Sequence, residues 1–429
     1  MNILIKGAQV VDPANKIDQP MDVLIEDGKI AAVQKTIRAK AEKVIDAQGK
    51  IVTPGLIDMH AHLRQPGRED EETLFTGASA AARGGFTTVV CMANTAPPID
   101  DQGLVKYILL ESEKIGLVRV LPVAAVTKGL KGEELTEVGT LKEAGCVALS
   151  DDGRPVASSE IMRRALEYAA MFDLPIISHC EDLALSAGGL MHEAYLSTIM
   201  GLPGIPDIAE SVMVARDLQL AGFTAAKLHF AHISSGKSVT LIRQAKSEKL
   251  TNISSETCPH YFSLTCDAVR GFDPNAKVNP PLRTEEDVQA IRQGLADGTI
   301  DVIATDHAPH TEAEKDVEFS NAPFGMIGLE TALSLGLSEL VVKKVLTFSQ
   351  LVEKMSVNPA KILGIEGGSL SVGAAADVLI FDPHKQWQVT KEGIVSKSKN
   401  SPFIGRTLPG VVEYTICKGK IVYSINRDI

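Results

Sequence analysis

Residues 55–64 read GLIDMHAHLR, a short apolar run in which polar side chains take alternate positions. In a β-strand, which repeats every two residues, Asp58, His60, His62 and Arg64 would share one side. The apolar residues between them can pack beneath helices, so the polar side would face an open mouth at the end of the strand. Two imidazoles at positions i and i+2 of a strand can both reach one metal ion.

Similar apolar runs recur along the chain and alternate with helical segments. Ser158 or Ser159 can cap a helix that ends near Phe172, and Thr284 can cap another with acidic residues in its first turn. Strands that alternate with helices pair in parallel, so eight such units over roughly 300 residues predict an α/β fold, a closed (β/α)8 TIM barrel. The eight runs cover residues 55–60, 86–92, 118–126, 146–150, 174–179, 226–233, 252–258 and 300–305. A doubly wound open sheet is the alternative, although neither GxGxxG nor GxxxxGK[ST] follows any of the runs.

Both ends of the chain differ from this middle part. Short β-branched runs separated by DG, QG and KG turns occur near the start and again near the end. We expect residues 1–53 and 366–429 to form one small β-sandwich-like domain built from both termini, and residues 54–365 to form the barrel. Two unrelated terminal decorations are the alternative, but a β unit needs three or more strands to be stable.

The composition excludes several classes of protein. With 54 acidic and 43 basic side chains among 429 residues, the formal net charge is −11, which argues against a nucleic-acid partner. The six cysteines form no CxxC pair, as expected for reduced, buried residues of a cytosolic protein. No run approaches the eighteen apolar residues of a membrane span. We therefore expect a soluble cytoplasmic protein without a membrane partner.

Polar residues collect at the carboxyl ends of the predicted strands. In a parallel barrel these ends converge on one face, where the connecting loops build the active site. The residues are His60, His62, Asn94, Asp151, Asp152, His179, His232 and Asp306. The four histidines and two of these carboxylates already make six ligands, more than one tetrahedral zinc site can use, so the pattern predicts a site for two metal ions.

The remaining histidines have simpler explanations. His229 has the opposite strand parity to His232, so we expect it to face helices or solvent, and His192 and His384 are expected to be structural. His260 ends the seventh strand and is either structural or part of the site. Asp58 either supports an imidazole or is a hydrogen-bonded core residue.

An ordered series of motifs runs through the whole chain and resembles that of the cyclic amidohydrolases, in particular the type I dihydroorotases. The motifs are DMHAHLRQPG, MANT, SDDG, SHCED, AHISS, ETCPHY, NPPLR and ATDHAPH. The resemblance implies two Zn²⁺ ions per chain, the first bound by His60, His62 and Asp306, the second by His179 and His232, with Asp152 bridging them. Asp152 is preferred to Asp151 because its spacing from His179 matches the family's bridging residue. Hydantoinases carry a carbamylated lysine there, whereas SDDG offers only carboxylates.

The resemblance also implies an activity, the reversible cyclisation of N-carbamoyl-L-aspartate to dihydroorotate in pyrimidine biosynthesis. Asp306 would then be the catalytic acid and base beside a hydroxide shared by the metals. The implied substrate ligands are the side chains of His62, Arg64, Asn94, Asn279 and His310 and the backbone of Phe324 and Gly325. Residues 307–325 would form either a mobile lid or a fixed loop.

Three departures from the family pattern, Gln65, MANT and CPHY, leave all six implied metal ligands in place. Two alternatives stay open: another cyclic ureide hydrolase, such as an allantoinase or hydantoinase, and an inactive homologue that is a structural partner of aspartate transcarbamoylase. A metal-independent binding barrel is a third. The resemblance is compatible with a homodimer and with a complex with aspartate transcarbamoylase.

Overall fold

A computed structural model describes residues 2–426 of the chain. It is an α/β protein made of a parallel eight-stranded barrel and a mixed sheet to which both ends of the chain contribute. The strands of the mixed sheet are β1 (Ile3–Asp12), β2 (Ile17–Glu26), β3 (Lys29–Gln34), β4 (Lys43–Asp46) and β5 (Ile51–Pro54) from the first part of the chain. The barrel begins with β6 (Leu56–Ala61), β7 (Phe86–Cys91), β8 (Arg119–Ala124), β9 (Ala148–Leu149) and β10 (Ile176–Ser178). A small two-stranded sheet follows, made of β11 (Met191–His192) and β12 (Gly204–Ile205). The barrel is completed by β13 (Leu228–Phe230), β14 (Ile253–Thr257) and β15 (Val302–Ile303). The last strands, β16 (Val378–Gln388), β17 (Thr407–Cys417) and β18 (Lys420–Ser424), belong to the mixed sheet.

Fourteen α-helices are found in the described part of the chain. The first seven are α1 (Leu74–Gly84), α2 (Gln102–Ile115), α3 (Val138–Ala144), α4 (Ser159–Ala170), α5 (Leu183–Ser186), α6 (Tyr195–Met200) and α7 (Ile208–Thr224). The others are α8 (Gly236–Ser247), α9 (Pro259–Ser263), α10 (Glu285–Asp297), α11 (Glu312–Lys315), α12 (Ala332–Gly336), α13 (Phe348–Val352) and α14 (Asn358–Leu363). None of these helices is long and apolar enough to cross a membrane.

The barrel confirms the predicted strands. The strand order is β15-β14-β13-β10-β9-β8-β7-β6, with every neighbouring pair parallel, and each predicted run overlaps one strand. The chain after β15 closes the ring against β6: the Asp306 amide donates to the His60 carbonyl (3.0 Å) and the His62 amide to the His307 carbonyl (2.8 Å). The open doubly wound sheet is therefore wrong.

Local sequence explains why the helices begin where they do. The Ser158 hydroxyl accepts a hydrogen bond from the Ile161 amide at the start of α4, and Thr284 and Asp287 form a capping box at the start of α10. Both caps lie at residues the sequence predicted. Helix α1 ends at Gly85, which has a φ of +90°, and a Cβ there would come within 2.8 Å of Leu379 in β16.

The predicted alternation in β6 holds only in part. Met59 joins the apolar cluster inside the barrel, together with Val90, Val123 and Ile177, instead of packing beneath the helices. The reason is a register shift of β6 against β7 between Asp58 and Ala61, which breaks the period of two. Ala61 and Leu63 do lie in the larger cluster on the helix side.

Strands from the two ends of the chain share one sheet, in the order β18-β17-β16-β5-β1-β2-β3, with β4 also beside β1. Antiparallel pairing of β5 with β16 joins the halves, with Ile51 opposite Phe381 and Pro54 opposite Val378. Two unrelated decorations are therefore wrong. Five of the six cysteines are buried, Cys266 is half-buried, and none is in a disulfide.

Candidate metal centre and substrate pocket

The six predicted metal ligands lie together at the carboxyl ends of five barrel strands. They follow or end β6, β9, β10, β13 and β15 in turn. All six are buried, with exposed fractions between 0 and 9%. They are His60, His62, Asp152, His179, His232 and Asp306.

Asp152 is the central residue of this cluster, since its carboxylate lies near all four imidazoles. Oδ1 is 3.4 Å from His60 Nε2, 3.4 Å from His179 Nδ1 and 3.3 Å from His232 Nε2, and Oδ2 is 3.5 Å from His62 Nε2. Asp306 Oδ1 lies 3.1 Å from His62 Nε2 and 3.7 Å from His60 Nε2. The distances therefore form two overlapping groups with Asp152 between them.

Outer hydrogen bonds determine which ring nitrogens face this centre. Glu256 Oε1 lies 2.6 Å from His60 Nδ1, the Asn94 amide oxygen 2.9 Å from His62 Nδ1, and Glu181 Oε2 2.9 Å from His179 Nε2. Each of these oxygens lies against one ring nitrogen, so the opposite nitrogen of each ring faces the other imidazoles and the carboxylates.

This arrangement fits a cation. His60 Nε2 is buried and has no hydrogen-bond partner in the described part of the chain, and His179 Nδ1 lies only 2.8 Å from His232 Nε2. Ring nitrogens and two carboxylates that converge in a buried space need positive charge among them, and imidazole and carboxylate are ligands that zinc accepts.

The acid–base state of the carboxylates agrees with this conclusion. Burial acts to raise the pKa of Asp306, but the hydrogen bond with His62 and the charge of His60 outweigh it and hold the pKa below its ordinary range. For Asp152, burial is outweighed by the charge of His60 and the hydrogen bond with His179, so its pKa also falls well below the ordinary value. Both carboxylates are thus anionic at neutral pH.

Among the predicted substrate ligands, Arg64 lies next to His310 and already contacts other groups of the protein. Its Nε donates to the Pro309 carbonyl (3.1 Å) and lies 3.0 Å from Glu71 Oε2, and its Nη2 lies 3.3 Å from His310 Nε2. Asn279 donates to Glu181 Oε2 (3.0 Å), the same oxygen that contacts His179.

The backbone groups of Phe324 and Gly325, which were predicted to bind the substrate, contact other groups of the protein. The Phe324 carbonyl lies 2.8 Å from His310 Nε2. The Gly325 amide donates to the Lys277 carbonyl (2.8 Å), and the Gly325 carbonyl accepts from the Asn400 side chain (3.1 Å). Of the predicted substrate ligands, Asn94 therefore contacts His62 directly and Asn279 reaches His179 through Glu181, whereas Arg64, His310 and Phe324 form a connected group.

Comparison with known proteins identifies the family. A model of the dihydro-orotase-like family matches residues 49–238, and a model of the amidohydrolase family matches residues 329–423. A dihydroorotase from Geotalea daltonii is 56% identical over 424 residues, and one from Pelotomaculum thermopropionicum is 55% identical over 423 residues. The matches cover 99% of both chains in the first case and 98% of both in the second.

The chain belongs to the dihydroorotase family.

Solved structures of related hydrolases share the fold of this dihydroorotase family member. An L-hydantoinase (dihydropyrimidinase) from Arthrobacter aurescens has a TM-score of 0.87 and 28% identity, covering 98% of this chain and 96% of its own. A dihydropyrimidinase from Brevibacillus agri has a TM-score of 0.83 and 24% identity, covering 99% and 95%. The second likeness concerns the fold alone.

Residues beyond the predicted ligands also take part in this dihydroorotase site. Glu256 and Glu181 hold imidazoles, as described above, and neither was predicted. His229 is fully buried, with Nε2 3.2 Å from Glu256 Oε2. Of the two environments predicted for His229, solvent is therefore wrong. A carboxylate two residues after His179 in SHCED was the one available signal for Glu181.

Asp58 and Asp151, which are not among the six predicted metal ligands, are buried and accept hydrogen bonds from backbone amides. Asp58 accepts from the Thr305 amide (3.0 Å) and hydroxyl, and burial raises its pKa to about 6. Asp151 accepts from the amides of Val126 (2.8 Å) and Thr127 (3.0 Å), and burial raises its pKa to about 6 as well. Asp58 therefore contacts backbone amides and a hydroxyl instead of an imidazole.

His260 lies at the edge of the same centre. One of its ring nitrogens, Cys258 Sγ and an oxygen of Asp306 all lie within 4.8 Å of one another. Burial lowers the pKa of His260 to about 4, so this imidazole is neutral. His192, in contrast, contacts Arg283 (3.1 Å), away from the six ligands.

Proposed function

We propose that the protein is a dihydroorotase, which interconverts N-carbamoyl-L-aspartate and dihydroorotate plus water in pyrimidine biosynthesis. The observation that supports this most directly is the position of Asp152, in reach of four buried imidazoles, in a chain that shares 56% identity with a dihydroorotase.

The protein would act as a homodimer or in a complex with aspartate transcarbamoylase. Size-exclusion chromatography of the protein alone and with purified transcarbamoylase tests both. We place the enzyme in the cytoplasm, which agrees with six cysteines outside disulfides.

The proposed cofactor is two Zn²⁺ ions per chain. His60, His62 and Asp306 would hold one, His179 and His232 the other, and Asp152 both. Zinc bound in this way lowers the pKa of water to about 7 and polarises a carbonyl oxygen. The outer residues Glu256, Asn94 and Glu181 orient three of the imidazoles for this task.

Asp306 is the proposed acid and base. In hydrolysis its carboxylate accepts a proton from the attacking water and delivers it to the ring nitrogen as the C–N bond breaks. In cyclisation the same carboxylate takes the proton from the ureido nitrogen as the C–N bond forms and delivers it to the hydroxyl that leaves the carboxyl carbon as water. Asp306 Oδ1 lies 3.1 Å from His62 Nε2, so the carboxylate and the imidazole would face the same zinc ion.

Arg64, Asn94, Asn279 and His310 are the proposed side-chain ligands of the substrate, with His62 and the backbone of Phe324 and Gly325. Arg64 suits the substrate carboxylate because a guanidinium binds a carboxylate through two parallel hydrogen bonds. Residues 307–325, which carry His310, Phe324 and Gly325, would cover the bound ring.

The test is an assay of both reaction directions across pH, with metal content measured on the same sample. We expect turnover of dihydroorotate and N-carbamoyl-L-aspartate at about two zinc ions per chain, and Arg64→Ala should mainly raise KM. Turnover of allantoin or hydantoin with dihydroorotate untouched would make the protein a different cyclic ureide hydrolase. Fewer than one zinc per chain, with no activity after zinc addition, would favour the inactive partner.

A further inference from the structure

Glu71 is a buried carboxylate in the loop between β6 and α1 that no motif singled out. Only 1% of the residue is exposed. Its Oε2 lies 3.0 Å from Arg64 Nε, and its Oε1 lies 2.8 Å from His310 Nδ1 and 3.3 Å from Arg68 Nη2. One carboxylate therefore joins two of the proposed substrate ligands, which are far apart in sequence.

Glu71 contacts the guanidinium of Arg64 at Nε, not at a terminal nitrogen. Glu71 Oε2 and the Pro309 carbonyl both lie against Nε, while Nη2 lies 3.3 Å from His310 Nε2. A bidentate grip on an incoming carboxylate needs two nitrogens on one edge of the fork. Glu71 thus neutralises the buried arginine without occupying both terminal nitrogens.

The backbone of Arg64 gives a second reason why its side chain needs an external support. Its φ is +61°, in the left-handed region that residues other than glycine rarely adopt. The chain leaves the β6 direction at this point, so the strand alone does not aim the guanidinium. The Glu71 carboxylate, fixed by burial, supplies that direction.

His310 is held in the same way. Glu71 Oε1 lies 2.8 Å from Nδ1 and the Phe324 carbonyl lies 2.8 Å from Nε2, so an oxygen faces each ring nitrogen. These two oxygens fix the plane of the imidazole beside Arg64. The two acidic neighbours of Glu71 in the sequence make other contacts. Glu72 contacts Ser396 and His307, and Asp70 is an exposed partner of Arg68.

We propose that Glu71 is a positioning residue that aims Arg64 at the carboxylate of the substrate and holds His310 beside it. This inference rests on the proposed function, because it assumes a cyclic ureide that carries a carboxylate. Among the residues that the structure describes, Glu71 contacts none of the six predicted metal ligands, so its influence should be on substrate binding more than on the chemical step.

The experiment is a double-mutant cycle with Glu71→Gln, Arg64→Ala and the double variant, each checked for metal content equal to wild type. We expect Glu71→Gln to raise KM for dihydroorotate roughly tenfold, as for a lost hydrogen bond to a charged group, while kcat falls by a much smaller factor. The dissociation constant of orotate, a carboxylated ring that is not turned over, should rise by a similar factor. In the Arg64→Ala background the same substitution should add a clearly smaller increase.

Asp70→Asn is the matched control, since it removes a neighbouring but exposed carboxylate, and it should leave KM and kcat as in wild type. An equal effect of Glu71→Gln in both backgrounds, or a loss confined to kcat with orotate binding unchanged, would overturn the inference. Wild-type protein that fails to turn over dihydroorotate would instead overturn the proposed function, which keeps the two outcomes apart.

Discussion

Glu256 is the residue that most directly connects the core of the barrel to the proposed metal centre. It is fully buried, with Oε1 2.6 Å from His60 Nδ1 and Oε2 3.2 Å from His229 Nε2. Burial acts to raise the pKa of Glu256, but the charges and hydrogen bonds of His60 and His229 lower it to about 2, so the carboxylate is anionic.

We expect Glu256→Gln to weaken zinc binding by roughly ten- to a hundredfold, because the amide no longer holds the proton on His60 Nδ1 as a carboxylate does. Competition with a chelator, with zinc measured after desalting, checks this. The exposed Glu248→Gln variant is the control. Identical chelator midpoints for wild type and Glu256→Gln would show that His60 does not depend on Glu256.

The lowered pKa of the buried Lys315 should make the stability of the protein depend on pH. Its ammonium is buried and donates to the carbonyls of Pro274 (3.0 Å) and Pro323 (2.7 Å). Burial, with the charge of Lys277 second, lowers its pKa from 10.5 to about 7. From about pH 7 to the ordinary lysine pKa, the unfolded chain binds more protons than the folded one, so the Lys315 contribution to the free energy of unfolding rises with pH.

Urea unfolding of wild type and Lys315→Met at pH 6, 7.5 and 9 measures this contribution. The stability of wild type relative to the variant should increase by up to about 1.4 kcal/mol per pH unit above pH 7 and stay level below it. The exposed Lys361→Met variant should give a difference that does not vary with pH. A Lys315→Met difference that is flat over the whole range would contradict the lowered pKa.

At the residue scale the sequence predicted the site through local patterns. His60 and His62 stand two apart, the other predicted ligands follow recognisable strands, and the structure places all six side chains together. The supports were missed because Glu256 is 196 residues from His60 and Glu71 is 239 residues from His310. No local spacing reports a contact of that kind.

At the scale of elements, the buried Lys277 fastens the loop of residues 311–325, in addition to Lys315 within the loop. Lys277 Nζ donates to the carbonyls of Phe319 (2.7 Å), Ser320 (3.1 Å) and Ala322 (2.7 Å), and lies 4.7 Å from the centre of the Phe324 ring. A charged donor shared by three carbonyls favours a fixed loop over a mobile lid.

We expect Lys277→Met to speed hydrogen exchange of the loop amides roughly ten- to a hundredfold, since the carbonyls lose a charge-assisted hydrogen bond. Mass-spectrometric exchange on peptides from residues 311–325 measures this, with Lys361→Met as the control variant. Fast exchange of the same peptides already in wild type would show that the loop opens despite Lys277.

Elements were predicted well where the sequence is long and periodic. The caps of α4 and α10 were identified at Ser158 and Thr284, and all eight barrel strands lie in apolar runs. The parity of Met59 was not predictable, since the register shift that turns it inward arises from pairing with β7, which is distant in sequence. The length of β9, only two residues, likewise follows from its neighbours in the barrel.

At the scale of the whole molecule, the mixed sheet and the barrel share an apolar core. Leu379 and Phe381 of β16 belong to the large cluster that also contains barrel residues, whereas Val378 and Ile380 pack in the sheet's own cluster. Alternate residues of one strand thus face two different cores. We propose that residues 1–53 and 366–429 form one unit that is stable only against residues 54–365.

Trp387, the single tryptophan, is a built-in reporter of this contact. Its ring lies 4.7 Å from the Arg83 guanidinium of α1, and its Nε1 donates to the Ser334 hydroxyl of α12 (2.9 Å). Because the indole bridges β16 and two barrel helices, we expect its fluorescence and the far-UV circular dichroism of the barrel to change in one shared urea transition. Leu379→Ala should move that transition as a whole and lower the free energy of unfolding by about 2–5 kcal/mol, while the exposed Val372→Ala should change it by less than about 0.5 kcal/mol. Fluorescence that changes well before the circular dichroism, in wild type or in Leu379→Ala, would mean that the sheet detaches from a barrel that is stable without it.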